Sequence, residues 1–170
     1  LSMVLYKYPK IKNDYKQEYL LGFDKIKHKY NNATVDSIES SFKYLNGSLG
    51  VNNKVHVFVL LFMNKPQDIS IKQEIHWEGG NQNEIVVCIG LNNKNNTLKT
   101  EWVKSFSWTD NKKTLIDIRE NIMELDSIDF FKCNKIISDA IIKDKYHYKN
   151  LDKDFDYLDI DLSDNTIILD

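Results

Sequence analysis

Two almost unbroken apolar runs organise this chain. The first, Lys54–Met63, reads Lys-Val-His-Val-Phe-Val-Leu-Leu-Phe-Met, and the second is Glu84–Leu91. Both are rich in Val, Ile and aromatics, and both are short and bounded by Gly, Pro or Asn. Those features predict strands hidden from water on both sides rather than helices. Between them, Ser70 with Gln73 fits a helix-start box, Ile71 and Ile75 fall at i, i+4, and Gly79-Gly80 stop the helix. A strand–helix–strand unit of this length can just pair its strands in parallel, with a right-handed crossover.

Polar punctuation assigns the rest. Asn92–Asn96 is a turn run, since Asn enters left-handed conformations cheaply. Residues 98–108 then alternate in part, with Trp102, Lys104, Phe106 and Trp108 on one side, which predicts a hairpin strand. Upstream, Ile38, Phe42 and Leu45 form a helical stripe that Asp36 and Glu39 would open and Asn46-Gly47 would close. Downstream, Leu115, Ile118, Ile122 and Leu125 mark one covering helix. Phe130, Cys133, Ile137, Ala140 and Ile141 mark a second, with Ser127 as its cap.

The expectation is a Rossmann-like α/β domain: a mixed sheet with a βαβ core, an antiparallel hairpin strand, and helices on both faces. Residues 1–33, rich in Tyr and Lys, read as an extended lead-in with one short strand or turn near Leu20–Ile26. Residues 34–170 read as one domain. It ends in an acidic edge segment, where Leu158, Ile160 and Leu162 alternate with Asp159 and Asp161.

Composition narrows the function classes. Hydrophobic residues make up 42% and charged residues 28%, so a true core is expected. The net charge is −2 and Arg119 is the only arginine. Nucleic-acid binding is therefore not expected, since it rests on a basic surplus and on bidentate arginine. Cys88 and Cys133 sit in apolar runs and read as buried thiols, with a single disulfide left open. No run of about 18 or more apolar residues spans a bilayer. The chain begins Leu1-Ser2-Met3 and reads as an excerpt of a longer protein.

Candidate chemistry is sparse. His28, His56, His76 and His147 are scattered over separate elements, and no phosphate-loop, dinucleotide, zinc-protease or serine-hydrolase motif is present. Asp152, Asp154 and Asp156 imitate the start of a Ca²⁺ loop, but Tyr157 stands where the turn needs Gly and Ser163 where it needs Glu. The best constellation is Trp77, Asn81, Asn83 and Glu84, with Trp108 and Asp110 brought beside them by the hairpin. Glu84 and Asp110 would offer oxygen ligands suited to Ca²⁺ or Mg²⁺, with Trp77, Asn81, Asn83 and Trp108 lining a binding surface. The competing reading is structural: the tryptophans pack, the asparagines make turns and the acids are solvated.

The order of elements, with Trp77-Glu78-Gly79-Gly80 and Asn81-Gln82-Asn83 ahead of Ile85–Ile89, resembles the TPM-domain family over residues 34–146. That family occurs in photosystem repair proteins and bacterial envelope proteins. Glu84 replaces the Gly that commonly follows the turn Asn, and Ser105–Asp110 replaces a Gly-rich turn. The resemblance implies a Rossmann-like domain on the extracytoplasmic side of a membrane. It would be anchored by segments outside this chain and serve as an accessory domain for a protein partner or a divalent cation. Some relatives are metal-binding acid phosphatases, but the departures fall where such a site would form, so the resemblance does not carry that activity to this chain. The alternative, a metal-dependent phosphatase-like hydrolase, rests on Glu84 and Asp110.

Overall fold

The computed structural model describes residues 5–10, 17–78, 83–108 and 111–143. Their core is a four-stranded mixed sheet in the order β1-β2-β3-β4, formed by Leu20–Leu21, His56–Met63, Glu84–Lys94 and Thr97–Ser107. β1 and β2 are parallel, as are β2 and β3, and β4 is antiparallel to β3. The helices are α1 (Asn32–Asn52), α2 (Asp68–His76), α3 (Lys112–Met123) and α4 (Phe130–Lys143). The mixed α/β architecture is the one the apolar runs predict, with α2 as the crossover of the βαβ unit.

Six consecutive residues of β2, Val57–Phe62, are buried, because each face of the sheet has its own cover. On the first face, Val57, Val59 and Leu61 join Ile85, Val87 and Ile89, under Phe42 of α1, Ile118 of α3 and Ile137 of α4. On the second face, Phe58, Leu60, Val86, Cys88 and Phe106 pack with Ile69 and Trp77. Part of this second cover comes from the amino-terminal segment, through Leu5, Tyr6 and Tyr8. β1 itself lies within the residues read as the lead-in, and its Leu20 and Leu21 are in register with Val59 and Leu60.

Element boundaries differ from expectation in instructive ways. The cap of α1 is Asn31, whose side chain accepts from Thr34 N at 2.8 Å, five residues ahead of Asp36. Nor does Gly47 end that helix. Exposed and with no atom near where a side chain would sit, it is simply carried through to Asn52. In α2 the inward residues are Ile69, Ser70 and Gln73, while Ile71 and Ile75 point outward at 51% and 64% exposure. The cap of α4 is Asp129, which accepts from the N–H groups of Phe131 and Lys132. Ser127 instead bridges to Lys99 on β4. In the hairpin, β3 runs on to Lys94, leaving Asn95 and Asn96, with φ of 52° and 62°, as a two-residue turn. Two left-handed residues match the twist of paired strands.

A register shift falls between Gly90 and Leu91, opposite β4. There the Trp102 indole lies so close over Gly90 that a Cβ would overlap it. The same indole donates from Nε1 to Lys65 O at 2.8 Å. Both cysteines are buried free thiols, on opposite faces of the sheet. Burial pushes the Cys133 thiol up to about 12 and raises Cys88 still further. The acidic segment after residue 143 lies outside the described residues, including Leu158–Leu162.

Candidate functional site

The start of β3 meets the end of β4, since Ile85 pairs with Ser107. The candidate segments therefore converge at one end of the sheet, where β2 and β3 begin. Of the residues named from the sequence, Trp77, Asn83, Glu84 and Trp108 are among the described ones. Trp77 is 2% exposed, standing edge-on to Phe58 at 6.0 Å and to Tyr8 at 5.2 Å. Trp108 is half-buried against Phe106 on the same face. Asn83 extends the ladder through its carbonyl, which accepts from His56 N at 3.0 Å. Asn81 and Asp110 lie outside the described residues.

Glu84 is fully buried. Its alternation with Ile85 directs it to the second face, where the Tyr8 hydroxyl lies 2.7 Å from Oε1 and 2.6 Å from Oε2. A buried carboxylate is costly unless hydrogen-bonded, so Tyr8 and Glu84 stabilise each other's burial. Among the described residues no group of three His, Cys, Asp or Glu is placed to hold a metal ion.

The chain end reaches this carboxylate through a segment that sequence reasoning missed. In Leu5-Tyr6-Lys7-Tyr8 the two tyrosines turn to the sheet and Lys7 to solvent, the alternation of an extended segment. Gln73, fully buried on α2, accepts from Tyr6 N at 2.8 Å and donates to Tyr6 O at 3.0 Å. Trp77 Nε1 donates to the same carbonyl at 2.8 Å. The Tyr6 hydroxyl donates to Leu61 O, beneath Gly22, whose φ of 91° and lack of Cβ make room for it. Burial, assisted by the nearby Asp24 and Cys88, pushes the Tyr6 phenol up to about 12. The one available signal was the Tyr-Lys-Tyr alternation. Its partners lie 55 to 76 residues away, where no local pattern points.

A different opening lies at the carboxyl ends of β2 and β3, the end at which α/β sheets gather ligands. It is a cavity of about 470 Å³, lined in part by Asn64, Lys65, Leu91, Glu101 and Trp102. It lacks a cluster of titratable groups comparable to a catalytic constellation. His56 is half-buried at the opposite end of β2, and desolvation lowers its pKa.

The chain matches no family model, no curated protein and no solved structure. Among the described residues, no helix is long and apolar enough to cross a membrane.

Proposed function

We propose that this chain is a non-catalytic accessory domain that binds a protein segment. The observation that supports this reading most is the second-face groove. There Gln73, Trp77 and Glu84, all buried, direct their hydrogen-bonding groups at an extended segment. Buried polar groups aimed at a backbone unit and a phenol are recognition chemistry: they fix register and orientation, and none is set up to attack or to transfer a proton. The resemblance to the TPM-domain family supports placing such a domain in a membrane-anchored protein of the cell envelope, with its anchor outside this chain.

The divalent-cation part of the proposal, and the alternative of a metal-dependent hydrolase, both depend on Glu84 and Asp110, of which Glu84 is among the described residues. Its carboxylate already accepts from Tyr8, and its remaining lone pairs would be the ones to ligate Ca²⁺ or Mg²⁺. Incubating the chain with a generic aryl phosphate and millimolar Mg²⁺ or Ca²⁺ tests the choice. No turnover above a blank is expected. Turnover that disappears in Glu84→Gln would overturn the binding-domain reading in favour of the hydrolase. Calorimetric titration with the two cations tests the remaining part, and absence of heat at millimolar metal would remove it.

A further inference from the structure

Asn46-Gly47 is the only Asn-Gly pair in the chain, and nothing in the packing calls for its glycine. Gly47 lies inside α1, exposed, with no atom near where a side chain would sit and without a positive φ. Glycine is the poorest helix former after proline, so a side chain here would favour the helix. The consequence of having none is chemical. We infer that Asn46-Gly47 is a deamidation site that folding closes and unfolding opens, and that reaction there keeps the chain from refolding.

The reaction needs only the chain and water. The backbone nitrogen of Gly47 attacks Cγ of Asn46, and with no side chain at position 47 its approach is unhindered. The N–Cγ bond forms, the Cγ–Nδ2 bond breaks, and the proton from the Gly47 nitrogen leaves with Nδ2 as ammonia. Water then opens the five-membered imide at either carbonyl. One opening leaves aspartate at position 46, and the other leaves isoaspartate.

The folded chain holds both reactants apart. As part of α1, Gly47 points its N–H along the helix axis toward the carbonyl four residues back. The Asn46 carboxamide is 1% exposed and turned to β2. Its Oδ1 accepts from Val57 N at 2.6 Å, and its Nδ2 donates to Val57 O at 3.1 Å and to Phe42 O at 3.0 Å. Bringing Cγ to the Gly47 nitrogen breaks all three bonds and unwinds α1 beside Phe42, Leu45 and Leu49, which are core residues. An opening of that size belongs with loss of the fold rather than with fraying.

Neither product fits the place it came from. Aspartate puts a buried carboxylate oxygen against the carbonyls of Phe42 and Val57, where two donated bonds stood. Isoaspartate adds a methylene to the main chain in the middle of α1, which breaks the spacing of its hydrogen bonds. A chain that has reacted once therefore cannot rebuild the joint between α1 and β2, and unfolding becomes irreversible there.

The full chain is incubated at one pH and temperature, folded in buffer and unfolded in guanidinium, and position 46 is followed by peptide mass mapping. Reaction should be slower in the folded chain by at least about tenfold. Equal rates in the two states would overturn the inference. On dilution from denaturant, the fraction that fails to regain native tryptophan fluorescence should track the fraction modified at position 46. Modified chain that refolds with the wild-type urea midpoint would also overturn it. Gly47→Ala should react at a small fraction of the wild-type rate in denaturant, and should raise Tm by up to about 4 °C. An undiminished rate in this variant would mean that the glycine does not open the site, and the inference would fail. Asn46→Asp supplies one product directly and should lower the urea midpoint, and an unchanged midpoint would sink the claim that the product does not fit.

Discussion

The two faces of the sheet are covered by different means. On the first, three helices of 21, 12 and 14 residues lay aliphatic and aromatic side chains over β2 and β3. On the second, a helix of nine residues and a short chain end cover the same strands. Each face also carries one buried amide clasp. On the first, Asn46 of α1 accepts from Val57 N at 2.6 Å and donates to Val57 O at 3.1 Å. On the second, Gln73 does the same for Tyr6. The Asn46 clasp joins two elements 11 residues apart, both locked in the core. The Gln73 clasp joins α2 to a terminal segment 67 residues away. The same pair of hydrogen bonds thus joins neighbouring elements on one face and residues distant along the chain on the other. The two clasps differ in how much apolar surface must separate along with each.

The largest test of this contrast is truncation on the first face. Phe42→Ala should cost about 3–5 kcal/mol, the usual range for an aromatic removed from a packed core, read as a lower urea midpoint for the whole chain. A chain that lost less than about 1 kcal/mol would mean that the first face is not the anchor. On the second face, Gln73→Ala strands the backbone groups of Tyr6 and should weaken its attachment by about 1–3 kcal/mol. The loss should be confined to faster exchange at Tyr6, with Val59 and Val87 amides little changed. Uniform acceleration at all three positions would erase the distinction between the faces.

Protonation separates them more gently. Desolvation lowers the pKa of His56, so below pH about 6.5 the unfolded chain takes up a proton that the folded chain refuses. Stability should therefore fall as pH drops through that point, and a His56→Gln variant should lack this part of the slope. The Tyr6 phenol works at the other end of the scale. Raised to about 12, it keeps its proton while the unfolded tyrosine loses one. Stability present at neutral pH is then lost as pH climbs above about 10, less steeply in Tyr6→Phe. The smallest effect belongs to Ile71→Lys on the outward face of α2, where the change should stay within about 0.5 kcal/mol. A larger loss, measured by urea titration, would show that this surface is already occupied within the molecule.

Both faces of the two central strands were legible in the sequence, but of their covers only the first face's was. Val57, Val59, Ile85 and Val87 lie in continuous apolar runs, and Ile118, Ile122, Ile137 and Ile141 repeat at helical spacing. Such patterns are local and survive reading one residue at a time. In α2 the visible apolar pair, Ile71 and Ile75, pointed to the wrong side. The inward face is made partly of Ser70 and Gln73, whose polarity is satisfied by Gln67 O and by Tyr6. Apolar periodicity cannot register a polar residue that is buried because its partner arrives from elsewhere in the chain. The Tyr8 bond to Glu84 was hidden for the same reason: its donor lies 76 residues away, and nothing near a carboxylate at a strand start announces it. The α1 boundary was hidden by a plausible box at Asp36 and Glu39, outcompeted by Asn31 one turn and more upstream.

The contact of Trp102 with Gly90 also constrains how this sequence can drift. With no room for even a methyl group beneath the indole, position 90 can enlarge only after position 102 has shrunk, and shrinking position 102 withdraws the donor from Lys65 O. Substitutions at the two sites would therefore be inherited in a fixed order, the tryptophan first. Divergent descendants would carry either the old pair or a wholly new one, with the half-changed combinations short-lived.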